Sequence, residues 1–249
     1  MLALINERAF VRVGELSDRF GISEVTARSD LAVLAERGQI VRIRGGAMPR
    51  GGLGQERPYE ESLASFAVEK LAIGRAAADL IEDGESVIVD VGTTAVAAAR
   101  ALAARAELRD VVVFTNGLKT ALELEPAIPR LTVVVLGGTL RPLQHSLVEP
   151  LATPMLEQLS VSTLLLGCNG VHQTSGITNV NLPEAEVKRH MLEVARRRIV
   201  LADGSKIGRV ELSRLCGVDE VDMLITGESA DCEVLDALRE QGCEVRVAR

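Results

Sequence analysis

The chain has 249 residues, 47% hydrophobic and 25% charged, which excludes disorder and is enough for two globular domains. Its net charge is −7, but residues 1–57 hold nine arginines against seven acidic residues, so the negative excess lies after residue 57. There is no run of 18 apolar residues and no charged-then-apolar leader. We therefore expect a cytoplasmic protein without a membrane partner.

The first periodic segments predict two helices joined by a tight turn. Residues 14–20 are amphipathic, and Gly21 follows where a tight turn would fall. Ser23 is a good N-cap for a second helix, which Gly38 would end as a C-cap. This second helix has a buried stripe at positions i, i+4 and i+7, formed by Ala27, Leu31 and Leu34.

A short alternating segment completes this motif. Residues 39–44 alternate apolar and polar side chains before Gly45 and Gly46, as a small β-hairpin wing does. Helix, tight turn, helix and basic β-wing is the order of a winged helix-turn-helix. We therefore predict a small DNA-binding domain at residues 1–47.

A glycine- and proline-rich segment without an apolar period follows, and we predict a linker at residues 48–59. A helical period returns over about residues 60–81, leading into a larger domain at residues 60–249. Its apolar stripe is formed by Leu63, Ala67, Leu71, Ala78 and Ile81.

The larger domain alternates short β-branched runs with helical stretches. This alternation predicts an α/β fold with a mostly parallel sheet flanked by helices. The predicted strands are 86–89, 111–114, 132–136, 163–166, 198–201, 223–225 and 244–247.

Five predicted strands are followed directly by small, polar or glycine-rich residues. In open α/β sheets, ligands bind at the carboxyl ends of strands, where backbone N–H groups and helix N-termini favour anions. Each loop alone is also typical of ordinary turns, but five together favour one ligand site at a shared rim. The loops are Asp90 to Thr94, Thr115 to Gly117, Gly137 to Thr139, Gly167 to Gly170, and Asp203 to Lys206.

The loop chemistry suits a phosphorylated polyol. Hydroxyl and amide groups at Gly92, Thr93 and Thr94 suit a phosphate, with positive charge from Lys188 or Lys206. Neither nucleotide-binding glycine motif is present, and the cysteines and histidines lack metal-ligand spacing, so we expect no cofactor and no metal. Sugar hydroxyls would bond to Asp90, Asn116, Asn169 and Asp203.

A later helix, within residues 179–195, carries further charged residues, with Pro183 in its first turn. Glu184 and Lys188 are four residues apart, which fits a surface pair as well as a ligand role. The residues leave both interpretations open.

These motifs, in this order, resemble the DeoR family of bacterial regulators over nearly the whole chain. In the first domain the resemblance rests on Ser23 to Leu31 and Arg44 to Ala47. In the second domain it rests on Asp90 to Thr94, Thr115 to Gly117, Leu136 to Gly138, Asn169 to Val171, Glu184 to Lys188, and Ala202 to Lys206.

The resemblance implies a repressor of a sugar or polyol catabolism operon, with an effector domain that resembles sugar-phosphate isomerases. A phosphorylated sugar would release operator DNA by shifting the population of DNA-binding states. Implied DNA contacts are Ser23, Thr26, Arg28 and Ser29 on the recognition helix, and Arg42 and Arg44 on the wing. Implied effector contacts are Asp90, Gly92, Thr93, Thr94, Thr115, Asn116, Gly137, Gly138, Asn169, Gly170, Glu186, Lys188, Asp203 and Lys206.

Two departures from the family pattern matter. Ser29 stands where the family usually has a second basic or amide residue, which puts one DNA contact in doubt. The family usually has more chain before the position of Met1, so we expect a start upstream of it. Arg28 has an alternative role as a surface partner of Glu24.

Two other functions compete with this prediction. One is a sugar-phosphate isomerase-like enzyme, with Asp90, Glu186 or Asp203 as general base and Lys206 as electrostatic helper. The other is a DNA-binding protein whose larger domain serves only for oligomerisation. A single winged helix offers few phosphate contacts, so a homodimer or homotetramer is expected for any DNA-binding function.

Overall fold

The computed structural model describes residues 1–7, 11–36, 40–43, 45–49 and 56–249. The chain divides into two compact units, Met1–Glu56 and Arg57–Arg249. The predicted linker, 48–59, spans this division, and its residues 50–55 lie outside the described part of the chain. Within the described ranges, no helix is long and apolar enough to cross a membrane.

The described residues of the first unit form three helices and a three-stranded antiparallel sheet. Strand β3 lies in the middle of this sheet, between β1 and β2. The elements in chain order are α1 (Leu2–Glu7), β1 (Val11–Arg12), α2 (Val13–Phe20), α3 (Glu24–Glu36), β2 (Ile40–Ile43) and β3 (Gly46–Pro49).

The local chemistry of this unit explains its helices. Gly21 ends α2 at φ 62°, a left-handed conformation that favours glycine. The hydroxyl of Ser23 accepts a hydrogen bond from the backbone N–H of Thr26 at 3.1 Å, as the predicted N-cap of α3 should. Ala27 and Leu31 are buried in the core of the unit. The predicted C-cap, Gly38, lies outside the described residues.

The second unit begins with two helices and continues as alternating strands and helices. Its helices are α4 (Tyr59–Ala64), α5 (Ala67–Ala78), α6 (Thr93–Ala104), α7 (Leu118–Leu124), α8 (Ala152–Leu156), α9 (Leu182–Val194) and α10 (Cys232–Glu240). Its strands are β4 (Ser86–Val89), β5 (Val111–Thr115), β6 (Leu131–Val135), β7 (Thr139–Arg141), β8 (Ser146–Val148), β9 (Val161–Gly167), β10 (Gly170–His172), β11 (Gly176–Asn179), β12 (Ala195–Leu201), β13 (Ser213–Cys216), β14 (Met223–Gly227) and β15 (Glu244–Ala248).

A seven-stranded parallel sheet forms the centre of the second unit, in the order β15-β14-β12-β9-β4-β5-β6. Neighbouring residues on a strand face opposite sides of the sheet, so Leu164 and Leu166 belong to one hydrophobic cluster and Leu165 to the other. All seven predicted strands belong to this sheet, which confirms the predicted α/β class.

The strand order reverses between β4 and β9. From β4 the chain moves outward through β5 and β6, and from β9 it moves the opposite way through β12, β14 and β15. Such a topological switch opens a crevice at the carboxyl ends of the two strands. The sheet therefore places the loops after β4 and β9 beside each other.

The predicted helical stripe over 60–81 is wrong in its first half. The segment forms two helices, because Phe66 takes φ 53° between α4 and α5. Leu63, Ala67 and Leu71 are exposed. Small residues form the interface of α5 with α6 instead: a Cβ on Gly74 would lie 2.5 Å from the backbone of Ala97.

The sequence analysis also missed two small antiparallel sheets. Strands β7 and β8 form a hairpin, and β10, β11 and β13 form a second sheet. Their strands have only three or four residues, which is too short for a reliable alternating pattern. These elements contribute residues to the candidate site below.

Candidate ligand and DNA-binding sites

The carboxyl edge of the large sheet, which we call the rim, holds a buried ion pair at the strand switch. Asp90 follows β4 directly, and one carboxylate oxygen, Oδ2, accepts hydrogen bonds from Lys188 Nζ on α9 and from the N–H of Gly167 at 2.9 Å. Lys188 Nζ also donates to the Gly167 carbonyl at 3.0 Å. The ends of β4 and β9 are thus joined by one carboxylate and one ammonium group.

Burial and the neighbouring charges together determine the protonation of this pair. Burial lowers the pKa of the Lys188 ammonium, but the carboxylates of Asp90 and Glu184 outweigh it, so its pKa lies above the ordinary value. Burial raises the pKa of the Asp90 carboxyl, against the opposing effect of Lys188. Lys188 therefore remains charged at neutral pH, but its charge is committed to Asp90.

Two buried oxygen atoms at the rim have no hydrogen-bond partner among the described residues. They are Asp90 Oδ1 and Asn116 Oδ1. The amide nitrogen of Asn116 is occupied, because it donates to the Leu147 carbonyl at 3.0 Å. An unsatisfied buried acceptor costs about 1–3 kcal/mol, so these two oxygens favour a ligand that brings hydrogen-bond donors.

The N-terminus of α6 lies next to Asp90 in the chain. Gly92 precedes the helix at φ 103°, and Thr93 and Thr94 form its buried start. No acidic residue occupies the first turn of this helix. The backbone N–H groups and the positive end of the helix dipole therefore favour an anion at this position.

Asp203 and Lys206 belong to a 3-10 turn after β12. Asp203 Oδ1 caps this turn by accepting from the Ser205 N–H at 3.1 Å. Burial raises the pKa of the Cys168 thiol to about 12, and the charges of Lys206, Lys188, Asp203 and Asp90 all act on that thiol. Cys168, which directly follows β9, therefore stays protonated and is no nucleophile at neutral pH.

Other predicted rim residues have mainly structural contacts. Thr115 Oγ1 accepts from the Gly117 N–H, and Asn169 Oδ1 accepts from the Val180 N–H. Additional carbon atoms on Gly138 and Gly170 would collide with the carbonyl groups of Val148 and Arg209. Gly137 N–H faces the sulfur of Met155 at 3.3 Å. For these positions, ordinary turn geometry accounts for the residue types.

The structure does not bring Glu186 into the rim. Glu186 is exposed and pairs with Arg189 at 2.6 Å on the surface of α9. Its neighbour Glu184, by contrast, is buried and accepts from Arg141 and from the Ser146 hydroxyl at 2.5 Å. Glu184 and Lys188 are therefore not a surface pair, and the helical period places both, rather than Glu186, toward the rim.

Sequence reasoning missed Arg141, Ser146 and Lys70. Lys70, on α5, lies with Nζ 3.7 Å from Asp203 Oδ2 and is itself buried. Arg141 and Ser146 flank the tip of the β7–β8 hairpin and meet at Glu184. Because these contacts join residues far apart in sequence, the sequence gives no local signal for them.

The first unit exposes most of its predicted DNA contacts. Ser23, Thr26, Arg28 and Ser29 are exposed on or beside α3, and Arg42 is exposed on β2. Arg44 lies outside the described residues. Arg28 pairs with Glu24 at 2.6 Å, the alternative role considered for it, but the two side chains are 57% and 52% exposed. A pair this exposed is easily exchanged for a DNA phosphate.

One exposed residue of α3 escaped the sequence analysis. Val25 is 75% exposed, and at 100° per residue it lies with Ser29 opposite the buried Ala27 and Leu31. An exposed aliphatic side chain on a DNA-contacting helix is chemically suited to a thymine methyl group. Its exposure, rather than its residue type, is the informative signal.

Comparisons with known proteins agree with this two-unit organisation. Residues 1–49 match the family model of the DeoR-like helix-turn-helix domain, and residues 65–228 match that of the DeoR C terminal sensor domain. The first match confirms the predicted helix-turn-helix, and the second covers most of the larger unit.

The similarity extends over whole proteins. The chain is 32% identical to the HTH-type transcriptional regulator GlpR of Haloferax volcanii, covering 98% of this chain and 94% of that protein. It is 30% identical to the lactose phosphotransferase system repressor of Staphylococcus epidermidis, covering 90% and 88%.

A solved structure is more distantly similar. Ribose 5-phosphate isomerase A of Methanocaldococcus jannaschii matches with a TM-score of 0.41 and 19% identity, covering 55% of this chain and 52% of the isomerase. At this score the match supports no conclusion about activity. The two family matches together cover most of the sequence, and the chain therefore belongs to the DeoR family.

Proposed function

We propose that this protein is a repressor of a sugar or polyol catabolism operon, and that a phosphorylated sugar releases it from operator DNA. The observation that carries the effector assignment is the pair of buried, unpartnered oxygens at the rim, Asp90 Oδ1 and Asn116 Oδ1. Each lacks a hydrogen-bond donor, and a polyol carries several hydroxyl donors. Both residues fall within residues 65–228, which match the family's sensor domain.

The phosphate would occupy the N-terminus of α6. Thr93 and Thr94 offer hydroxyl groups beside backbone N–H groups that no acidic side chain neutralises. Lys188 is a poor partner for that phosphate, because Asp90 already holds its ammonium group. Lys206, half-buried in the turn after β12, is the better source of positive charge.

The repressor role rests on the first unit and on the relatives. Exposed Thr26, Arg28 and Ser29 on α3 and Arg42 on the wing suit contacts with double-stranded DNA. One relative is named a repressor of a lactose phosphotransferase system, which fits a phosphorylated sugar as the signal. We further propose a homodimer or homotetramer acting in the cytoplasm, because paired half-sites multiply the few contacts of one winged helix.

An isomerase activity is the rival function, and one atom favours it. Among the described residues, Asp90 Oδ1 has no close hydrogen-bond partner, which leaves a lone pair for a proton. The other two predicted bases are engaged elsewhere: Glu186 with Arg189, and Asp203 with Ser205 and Lys70. We propose that the protein is not an enzyme and that Asp90 binds a ligand hydroxyl.

The test measures binding of the full chain to DNA from its own upstream intergenic region at about 0.15 M salt. The titrants are ribose 5-phosphate, glycerol 3-phosphate, galactose 6-phosphate, their unphosphorylated forms and inorganic phosphate. We expect specific binding that one phosphorylated compound weakens about tenfold and its unphosphorylated form does not. Specific binding unaffected by every compound would contradict the effector assignment.

A matched variant and an isomerase assay distinguish the proposed effector role from the rival enzyme activity. Asn116→Ala removes one unpartnered acceptor, together with the amide donor to the Leu147 carbonyl, without removing either member of the Asp90–Lys188 pair; it should weaken the response to the active compound. Isomerisation of the same compound by wild-type protein, lost in Asp90→Asn, would favour the enzyme instead.

A further inference from the structure

Helix α4 is the first element of the second unit and follows the segment that leads from the DNA-binding unit. Its N-terminal end is held by the tip of the β7–β8 hairpin. The Tyr59 N–H donates to the Leu143 carbonyl at 3.0 Å, and Gln144 Nε2 donates to the Arg57 carbonyl at 2.6 Å. The strand that follows this tip begins with Ser146, whose hydroxyl donates to the rim residue Glu184. This end of α4 is thus connected to the rim.

The C-terminal end of α4 is held by Lys70. Its ammonium group donates to the carbonyl groups of Ser62 at 2.5 Å and Ser65 at 2.7 Å. The same nitrogen lies 3.7 Å from Asp203 Oδ2, and the two side chains are 6% and 2% exposed. One buried cation therefore bridges the last turn of α4 and a rim carboxylate.

The charge of Lys70 depends on Asp203. Burial lowers the pKa of the Lys70 ammonium, Asp203 opposes this effect, and the positive charges of Lys206 and Arg57 add to it. Glu69, next to Lys70 on α5, contacts the loops after β12 and β14, since it accepts from the N–H groups of Gly204 at 3.1 Å and Ser229 at 2.8 Å. A ligand that engaged Asp203 would therefore change the electrostatic support of α4.

We propose that α4 reports occupancy of the rim to the DNA-binding unit, and that Lys70 is the positioning residue that makes this connection through Asp203. The inference rests on the proposed function, because it assumes that the rim binds an effector. In the unliganded protein the bridge holds α4 in the arrangement that favours operator binding. Effector contacts with Asp203 weaken the bridge between Lys70 and Asp203, and α4 then leaves that arrangement.

The test uses the full chain and the intergenic DNA, without any effector in its first arm. Lys70→Met should lower operator affinity about tenfold and speed amide exchange over residues 60–66. Asp203→Asn should act in the same direction. The double variant should bind no more weakly than Lys70→Met alone, because both changes break one connection. Lys70→Arg keeps the charge and the donors and should restore affinity to within about threefold of wild type.

Arg105→Met is the matched control. Arg105 also donates to helix-end carbonyls, those of Ala78 at 2.6 Å and Ile81 at 2.7 Å, but its carboxylate partner is the exposed Glu107. The control should lose thermal stability while keeping operator affinity. The inference is overturned if Lys70→Met binds the operator as Arg105→Met does, or if the effects of Lys70→Met and Asp203→Asn multiply in the double variant.

A second arm adds the phosphorylated compound that releases wild-type protein from DNA. Lys70→Met should still bind it, with a thermal shift at least as large as that of wild type, yet its operator affinity should change less than about twofold. Full release of Lys70→Met would overturn the inference. If no compound of the panel releases wild-type protein, the proposed effector role fails, whereas the first arm still decides whether Lys70 and Asp203 control α4.

Discussion

The rim and the recognition helix are both expected to meet anionic partners, yet they use charge in opposite ways. At the rim, Lys188 and Asp90 are 4% and 0% exposed and are committed to each other. On α3, Arg28 and Glu24 are more than half exposed. An exposed pair contributes about 0.3–0.5 kcal/mol and exchanges readily for a phosphate, whereas a buried pair fixes local geometry. We therefore expect ligand selectivity to be fixed by the geometry of the rim, and DNA affinity to vary with salt.

The largest expected effect comes from breaking the buried pair. Asp90→Ala leaves Lys188 buried without its carboxylate and should lower the free energy of unfolding by about 3–5 kcal/mol. Urea denaturation measures this loss. The double change of Asp90→Ala with Lys188→Met should recover much of it, because no unpaired charge remains buried. A loss under about 1 kcal/mol for Asp90→Ala would mean that the buried pair contributes no more to stability than an exposed pair such as that on α3.

The second test extends the comparison to neutral groups, with half-buried Cys168 at the rim against exposed Cys232. Burial raises the pKa of Cys168 from 9.0 to about 12, so the folded state keeps a proton that the unfolded state loses. Stability from this group is complete below pH 9.0 and is lost as pH rises toward 12. The wild-type loss between about pH 8 and about pH 10 should exceed that of Cys168→Ala by about 1.4 kcal/mol.

Cys232→Ala provides the control for this measurement. Because Cys232 is exposed, its removal should leave the alkaline loss of stability unchanged. Burial also raises the pKa of Cys216 to about 12, so part of the loss remains in Cys168→Ala. Equal losses in wild type and Cys168→Ala would show that the rim admits water to this thiol.

The fold was largely predictable because the large sheet is buried on both faces. Runs such as 164–166 are apolar throughout, and the small or polar residues that follow them mark their ends. The break at Phe66 was not predictable, because a non-glycine residue at positive φ gives no signal in the apolar periodicity. The strands β7 and β8 were missed because three residues are too few for a reliable alternating pattern.

The candidate site was predictable only where its residues follow strands of the large buried sheet. Asp90 and Asp203 come at strand ends, and the strand pattern therefore located them. Lys70, Arg141 and Ser146 reach the rim from a helix and a hairpin whose positions depend on tertiary packing. The sequence left the buried face of α9 open, and the structure places Glu184 on that face and Glu186 on the exposed one.

A smaller effect is expected for the exposed pair on α3. Arg28→Ala should lower operator affinity about tenfold, equivalent to about 1.4 kcal/mol, and change the free energy of unfolding by less than about 0.5 kcal/mol. Gel-shift titrations at several salt concentrations should also show a shallower salt dependence, because one phosphate contact is lost. Glu24→Ala is the control, since it frees Arg28 and should not weaken binding. Unchanged operator affinity in Arg28→Ala would assign Arg28 to its pair with Glu24 alone.

The smallest expected effect concerns Val25, which carries no charge but is the most exposed apolar residue of α3. If it contacts a thymine methyl group, replacing that thymine by uracil removes about one buried methyl, worth about 0.8 kcal/mol or roughly fourfold in affinity. Wild-type protein should show this loss at one operator position, found by single uracil substitutions. Val25→Ser should bind thymine and uracil operators equally, because the methyl has already lost its partner. A uracil penalty that persists in Val25→Ser would assign the methyl contact to another residue of α3, and would confine the readout of this helix to its polar side chains.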